Sequence, residues 1–243
     1  MRQRSPARFM AAAAIFVSLG LIACGGGDGG DATAVPTSSG AITIDAPVEA
    51  VMRVPFTVSG TANVFEGRLI VQAIDASGAI VCQHRVQATS GSGTPGTWET
   101  VLAFKPPAAE QEITIKAFSG STQDGSEENV VSLTTTLSPE LPPIVIESPA
   151  CGGLQSTAFI LDVSGTASVF EAALIVELRQ LDGTVLQTKS LTASAAGPER
   201  GIWQVSLDVS TLPPGFYEVV AYSISARDGT AENIFSVPIR RNA

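Results

Sequence analysis

Residues that commonly perform catalysis or bind metals are few in this sequence. His84 is the one histidine among 243 residues, so a Ser-His-Asp triad could form at one place at most. The Gly-x-Ser-x-Gly turn that presents a nucleophilic serine is absent. A zinc site of the ordinary His/Cys type also lacks ligands. We therefore expect a protein without enzymatic activity, bound metal or cofactor.

Two glutamates that follow phenylalanines are candidates for ligand binding. Glu66 follows Phe65, and Glu171 follows Phe170 in a second copy of the same motif. One interpretation is a carboxylate that contacts a ligand in each copy. The other, which we favour, is structural: the ring fills one end of a β-sheet core, while the glutamate accepts hydrogen bonds from backbone N–H groups of the following loop.

Two acidic loops could supply oxygen ligands to calcium. Asp124 and Asp228 each open an Asp-Gly-Ser/Thr loop, and the two loops end at Asn129 and Asn233. Carboxylates on a turn are the hard ligands that Ca²⁺ prefers, but the spacing differs from that of an EF-hand loop. Because Asp-Gly is already a favourable turn sequence, we predict structural turns that do not bind calcium tightly.

Two cysteines, Cys82 and Cys151, lie in the body of the chain. Neither has a cysteine at the equivalent position of the other copy. Thiols of exported proteins tend to be oxidised, so one interpretation is a disulfide from the first copy to the start of the second. Two free or weakly buried thiols are the other interpretation, and the sequence leaves both open.

Residues 1–24 have the composition of an export signal. Three arginines precede an apolar run over residues 9–22, which is short for a membrane span. The run ends in Leu21-Ile22-Ala23-Cys24, which resembles the lipobox of bacterial lipoproteins. The resemblance implies cleavage before Cys24 and acylation of this residue, and two or three acyl chains anchor a protein stably. The alternative is an ordinary secretory signal that contains a cysteine.

A tether rich in Gly, Asp, Ser and Thr follows over residues 24–40, and such a segment is a flexible coil. Together, anchor and tether predict an extracytoplasmic, lipid-anchored protein. The resemblance to lipoprotein sorting patterns implies the outer membrane in a Gram-negative host. In a Gram-positive host it implies the outer face of the cell membrane.

The rest of the chain is an internal repeat. Residues 58–66 return as residues 163–171 at a constant offset of 105 positions. Both copies continue with period-two alternation of apolar residues, the pattern of half-buried strands, and with a tryptophan, Trp98 or Trp203, that we predict to face the core. The counterpart of His84 in the second copy is Lys189. Because a position that accepts lysine is expected to be exposed to solvent, we predict that His84 is solvated.

About seven short strands per copy, separated by Gly- and Pro-containing turns, predict an all-β protein with two tandem immunoglobulin-like β-sandwich domains. The expected organisation is a signal peptide over residues 1–23, the tether, a first sandwich over 41–138 and a second over 144–243. A proline-rich linker over 139–143 connects the sandwiches. Three prolines between residues 139 and 143 make this linker a stiff spacer.

The motifs of both copies resemble the immunoglobulin-like domain of bacterial spore germination, a Gmad-type domain. The resemblance rests on Val-Ser-Gly-Thr-Ala-x-Val-Phe-Glu at 58–66 and 163–171, and on Asp-Gly-Ser/Thr-x-x-Asn at 124–129 and 228–233. It implies an immunoglobulin-like fold in an extracytoplasmic setting. The family is known as an accessory module without established catalysis, so the resemblance implies no activity.

The net charge of −9 argues against a nucleic-acid partner, because no basic stripe is present to neutralise phosphates. We expect a non-enzymatic envelope lipoprotein whose tandem domains bind, or act as a spacer for, a macromolecular envelope partner. The first alternative is a carbohydrate- or peptidoglycan-binding module, which exposed tryptophans would favour. A hydrolase is the second alternative.

Overall fold

The structure is a computed structural model that describes residues 40–155 and 159–242, with only the backbone of residues 154 and 155. The predicted signal peptide, Cys24 and residues 25–39 of the predicted tether lie outside the described residues. Within the described ranges, no helix has the length and apolar character needed to cross a membrane. Strands and connecting loops form almost the whole of the described chain.

The first half of the described chain forms a β-sandwich. Its strands are β1 (Val51–Met52), β2 (Phe56–Ala62), β3 (Arg68–Asp75), β4 (Ile80–Gln87), β5 (Gly96–Leu102), β6 (Gln111–Gly120) and β7 (Glu127–Leu137). One sheet has the order β1-β7-β6-β3-β4, and the other contains β2 and β5. Isolated bridges from Ile42 and Ala46 to β2 extend the smaller sheet.

The second half repeats this arrangement. Its strands are β8 (Ile144–Ser148), β9 (Gly153–Gln155), β10 (Ile160–Ala167), β11 (Ala173–Gln180), β12 (Val185–Thr192), β13 (Gly201–Asp208), β14 (Gly215–Ile224) and β15 (Ala231–Arg241). A five-stranded sheet of order β12-β11-β14-β15-β9 faces a three-stranded sheet of order β13-β10-β8. The predicted fold class, two tandem immunoglobulin-like sandwiches, is confirmed.

The glycine of the repeated Ser-Gly-Thr-Ala motif leaves space for a tryptophan ring and for the backbone of a neighbouring segment. Gly60 is paired with Trp98 and Gly165 with Trp203 across the smaller sheets. A Cβ on either glycine would meet both the tryptophan ring and a carbonyl oxygen of the adjoining strand. Both tryptophans are buried, as predicted. The glycine therefore lets each ring lie over the strand and seal the core.

The proline-rich linker is held by both sandwiches. The backbone N–H of Ser138 donates to the Met52 carbonyl at 2.8 Å, and that of Ser168 donates to the Pro143 carbonyl, also at 2.8 Å. Close by, Lys105 of the first sandwich pairs with Glu147 of the second at 2.9 Å. The linker is thus anchored at each end by hydrogen bonds, in addition to the stiffness that its prolines give it.

Candidate functional site

Each sandwich presents an exposed phenylalanine on a 3-10 turn. Phe65 opens the turn Phe65–Gly67 and is 63% exposed, and Phe170 opens the turn Phe170–Ala172 and is 69% exposed. The preceding residues, Val64 and Val169, are the ones that enter the core. The interpretation in which the phenylalanine fills the end of the core is therefore wrong. Alternation along the chain directs the valine inwards, so the next side chain faces solvent.

The turns have an unusual backbone at the glutamates. Glu66 adopts φ 53 and ψ 14, and Glu171 adopts φ 54 and ψ 12. This left-handed conformation is costly for a residue with a Cβ, by about 1 kcal/mol or more. Because it occurs at the same place in both sandwiches, the surrounding structure must hold it. Strained backbone of this kind concentrates at binding and catalytic positions.

In the first sandwich, the loop after β4 braces the turn. Ser92 donates its backbone N–H to the Val64 carbonyl at 3.0 Å and accepts the Glu66 N–H on its hydroxyl, also at 3.0 Å. Gly93 donates its N–H to the Asn63 side-chain oxygen at 2.8 Å. These bonds fix the backbone on both sides of Phe65, so the exposed ring is carried by a rigid support.

In the second sandwich, different residues form the hydrogen bonds that brace the turn. The backbone N–H of Gly197 donates to the Val169 carbonyl at 2.8 Å, and the Ser168 hydroxyl donates to the Pro198 carbonyl at 3.2 Å. The N–H of Ala193 donates to the Ala172 carbonyl at 2.9 Å. Two loops of different sequence therefore support the same turn geometry.

The glutamate carboxylates do not bond to loop amides in the way that the structural interpretation expects. The Glu66 carboxylate pairs with Arg68 at 2.9 Å, and both side chains are exposed to solvent. At the position of Arg68 the second sandwich has Ala173, so this ion pair has no counterpart there. The second turn consequently carries its carboxylate without the neighbouring guanidinium, and the two turns differ in charge although they agree in shape.

The two acidic loops are closed by their own side chains. Asp124 accepts hydrogen bonds from the backbone N–H and the hydroxyl of Ser126, at 3.0 and 2.7 Å, and these bonds lower the pKa of Asp124. Asp228 accepts the corresponding bonds from Thr230. Bonds from Thr230 and from Arg227 lower the pKa of Asp228 to about 2. This geometry is that of a side-chain-stabilised turn.

Asn129 and Asn233 end these loops in a left-handed conformation, with φ of 55 and 56. Each donates its side-chain amide to a serine hydroxyl at 2.9 Å, Ser119 in the first sandwich and Ser223 in the second. The register of the strand pair shifts at these serines. The asparagine therefore stabilises a β-bulge, which is a structural role.

Cys82 and Cys151 form a disulfide with a Cα–Cα distance of 4.6 Å. Of the two interpretations that the sequence leaves open, the structure contains the bridge between the sandwiches. Cys82 lies on β4, and Cys151 lies in the loop between β8 and β9. The next residue, Gly152, has φ 73, and a Cβ there would meet the Gln83 carbonyl oxygen at 2.7 Å. Glycine thus permits the close approach that lets the sulfurs meet.

His84 lies on the same face of β4 as Cys82 and is 9% exposed, so the prediction of a solvated histidine is wrong. Its Nδ1 is hydrogen-bonded to the Thr100 hydroxyl at 2.9 Å, whereas its buried Nε2 has no partner among the described residues. Burial lowers the pKa of His84 to about 4, so the ring is neutral at pH 7.

One grouping of His and Cys side chains, in which the two cysteines are joined as a disulfide, was not foreseen from the sequence. The structure brings a ring nitrogen of His84 and the sulfurs of Cys82 and Cys151 within 4.8 Å of one another. The period-two spacing of Cys82, His84 and Val86 was a usable signal that all three share a face. The contribution of Cys151 was not readable, because it depends on how the two sandwiches meet.

A family model described as the immunoglobulin-like domain of bacterial spore germination matches residues 41–126 and 143–230. Each match covers one sandwich up to the residue before its last strand, β7 or β15, and together they span more than half of the chain. A search of curated proteins finds no match.

Similar solved structures include the BSP domain of a biofilm-associated protein (17% identity, TM-score 0.26, 84% of this chain and 29% of that chain). A Salmonella alpha-2-macroglobulin mutant aligns at 12% identity and TM-score 0.29, over 89% of this chain and 15% of that chain. The human OSCAR ligand-binding domain aligns at 14% identity and TM-score 0.24, over 85% and 95%. This chain spans less than a third of the length of the first two.

Proposed function

The chain belongs to the family of immunoglobulin-like domains of bacterial spore germination, and on that premise we propose that it is a non-enzymatic, lipid-anchored binding protein of the cell envelope. The observation that carries the proposal is the exposed phenylalanine at the same place in each sandwich, Phe65 and Phe170. We propose these two rings as anchors for a macromolecular partner.

Exposure of these two rings to solvent does not stabilise the fold. Burying an exposed phenylalanine against a partner contributes about 1.5–3 kcal/mol, and this gain is unused in the free protein. The braced turns add to it, because a rigid support reduces the entropy lost when the partner binds. Glu171 lies beside Phe170 without a neighbouring guanidinium and adds an acidic rim there, which favours a partner with neutral or basic groups around an apolar pocket; Glu66 is instead paired with Arg68.

Two similar sites in one chain also support a binding role. The disulfide and the anchored linker restrict the separation of the sandwiches. Once one turn has bound, the other is held at high effective concentration near a repeated or extended partner. Weak contacts of single rings can then give a strong overall interaction.

The location is part of the same proposal. A lipid on Cys24 and the tether over residues 24–40 would hold the sandwiches close to a membrane but clear of its headgroups. In a Gram-negative host we propose the outer membrane, and in a Gram-positive host the outer face of the cell membrane. The acidic chain argues against nucleic acid or anionic lipid as the ligand of the turns.

A protein partner is favoured over a glycan by the burial of both tryptophans. Sugar-binding sites usually offer broad exposed aromatic faces, and Trp98 and Trp203 are sealed in the cores. Isolated peptidoglycan sacculi are nevertheless a useful probe, because sedimentation with sacculi that depends on Phe65 and Phe170 would identify a glycan ligand in place of a protein.

The test is capture of envelope proteins by the lipidated full chain and by Phe65→Ala, Phe170→Ala and the double variant. Each single variant should weaken capture of the same partner, and the double variant should abolish it. Ile202→Ala is the matched control, because Ile202 is 70% exposed on β13 and lies outside both turns. Equal capture by the double variant and the wild type would contradict the assignment of the turns. Turnover of a cell-wall or ester substrate by the purified protein would contradict the non-enzymatic part.

A further inference from the structure

Three metal-ligating side chains meet at the junction of the two sandwiches, and the binding proposal does not use them. The sulfurs of Cys82 and Cys151 and a ring nitrogen of His84 all lie within 4.8 Å of one another. Strand β4 supplies Cys82 and His84 from one face, and the loop between β8 and β9 supplies Cys151. A ligand held by all three would therefore contact both sandwiches.

The state of His84 is the second observation that points to a ligand. A buried polar atom without a hydrogen-bond partner costs about 1–3 kcal/mol, and such atoms are rare enough to need an explanation. His84 Nε2 is such an atom among the described residues, whereas Nδ1 is engaged by Thr100. In the tautomer whose Nδ1–H donates to the Thr100 hydroxyl, Nε2 carries a lone pair, and metal-binding histidines are commonly oriented by a bond of this kind.

We propose that reduction of the Cys82–Cys151 disulfide creates a binding site for one thiophilic cation, Cu⁺ or Zn²⁺, with both thiolates and His84 Nε2 as ligands. Thiolate and imidazole donors select these ions over the hard cations Mg²⁺ and Ca²⁺. Thr100 is the positioning residue, because its hydroxyl holds the ring.

The distances are close to those that such a site requires. Zinc binds sulfur at about 2.3 Å and nitrogen at about 2.0–2.1 Å, so donor atoms around it are roughly 3.4–3.8 Å apart. The sulfurs must separate from bonding distance, and the ring nitrogen, which lies within 4.8 Å of both, must approach them by at most roughly 1.0–1.4 Å. Cys151 is followed by two glycines and is only partly buried, so its loop can make most of this adjustment.

The redox step balances with a dithiol reductant. The dithiol gives two electrons and two protons to the disulfide, which becomes the two thiols of Cys82 and Cys151, and the dithiol itself becomes a disulfide. Binding of the cation then releases the two thiol protons to solvent, because thiolates are the ligands. The sandwiches stay linked in both states, by the disulfide when oxidised and by the metal when reduced.

The test uses the full chain with Cys24→Ser, so that Cys82 and Cys151 are the only thiols of the three-cysteine sequence. The protein is reduced with a dithiol, freed of it under anaerobic conditions, and titrated in two arms. One arm measures Cu⁺ by competition with bicinchoninate, and the other measures Zn²⁺ by competition with a chromogenic chelator. We expect one ion per reduced chain in at least one arm and none bound by the oxidised chain.

The variants separate a built site from two exposed thiols. His84→Gln keeps a side chain that can bond to Thr100 and should weaken binding by about tenfold or more, while the Cys82→Ser/Cys151→Ser double variant should bind no ion. Far-UV circular dichroism of each sample checks folding. If a variant does not fold, the reduced chain alkylated at both thiols replaces it as the blank. The proposal is overturned if the reduced chain binds neither ion more tightly than this blank, or if His84→Gln binds as tightly as the unsubstituted chain.

Discussion

Strands β4 and β12 occupy the same edge of the two sandwiches, yet their surroundings differ. On β4, Cys82, His84 and Val86 are buried along one face, whereas β12 has no buried residue. At the positions of Cys82 and His84, β12 carries Gln187 and Lys189. Gln187 accepts the backbone N–H of Asp208 at 3.1 Å and bonds to the carbonyl of the same residue, so a polar side chain fixes this edge in the second copy.

The difference arises from what covers each edge. The Cys151-Gly152 loop of the second sandwich lies against β4. Arg85 of β4 also stacks at 4.6 Å from the centre of the Phe216 ring. No corresponding loop covers β12 among the described residues. Two copies of one domain can therefore share a fold and differ in chemistry, because only one of them has a neighbour at that edge.

The cores should behave alike, and this gives the largest expected effect. Trp98→Ala and Trp203→Ala should each lower the free energy of unfolding by about 3–5 kcal/mol, since each leaves a cavity beside a strand that cannot collapse. Denaturant titration with tryptophan-independent detection measures the loss. Near-neutral stability of both variants would show that the inward face of β5 and β13 is wrongly assigned.

The disulfide should stabilise the junction by a smaller amount. Cys82 and Cys151 are 69 residues apart in sequence, and a disulfide typically contributes about 2–4 kcal/mol, mainly by constraining the unfolded state. The Cys82→Ser/Cys151→Ser double variant should lose this amount in a chemical denaturation experiment. Unchanged stability, with the bridge of the wild type verified by thiol counting, would contradict the expectation.

A pH effect should be found at β4 and not at β12. Burial lowers the pKa of His84 from 6.5 to about 4, so the unfolded chain binds the proton more readily than the folded one. The stability from the neutral ring is complete above pH 6.5 and is lost as the pH falls towards 4. Between pH 7 and pH 5 the loss should be about 2 kcal/mol.

Urea titrations at several pH values measure this loss, and His84→Gln should remove it. Lys189→His is the matched control, because that position is exposed and a histidine there should add no comparable pH dependence. The same pH dependence in the wild type and in His84→Gln would assign the effect to other groups.

The smallest expected effect distinguishes the two tryptophans. Trp98 donates its ring N–H to the Thr61 carbonyl at 3.1 Å, whereas the buried ring nitrogen of Trp203 has no partner among the described residues. Replacement by phenylalanine removes a hydrogen bond in the first sandwich alone. Trp98→Phe should therefore cost about 1 kcal/mol more than Trp203→Phe, and equal losses in parallel melts would argue against the difference.

Much of the fold could be predicted because it depends on local patterns. The alternation around Trp98 and Trp203, the Asp-Gly turns and the 105-residue offset each report on neighbouring strands. The sequence pattern wrongly placed Phe65 in the core. The preceding residue, Val64, is the one that packs into the core, and the left-handed backbone at Glu66 turns the chain towards solvent. That conformation depends on a loop some 26 residues later, whose Ser92 accepts the Glu66 N–H.

The cysteine–histidine cluster shows a second limit. Comparing His84 with Lys189 assumes that equivalent positions have equivalent surroundings, and the assumption fails where the second sandwich covers the first. The alternation of Cys82, His84 and Val86 argued for burial, and it was the better guide. The contact with Cys151 joins residues of the two copies, so no periodicity within one copy could reveal it.

The disulfide also has a mechanical consequence. When the chain is pulled between its N-terminal end and the second sandwich, tension passes from Cys82 directly to Cys151, which lies 69 positions later, and the stretch between them bears no load. If fully extended, that stretch would add roughly 230 Å of length. It cannot extend under this force while the disulfide is intact. An intact disulfide therefore limits how far the chain can extend under force. Reduction of the disulfide would increase the distance that the second sandwich can reach.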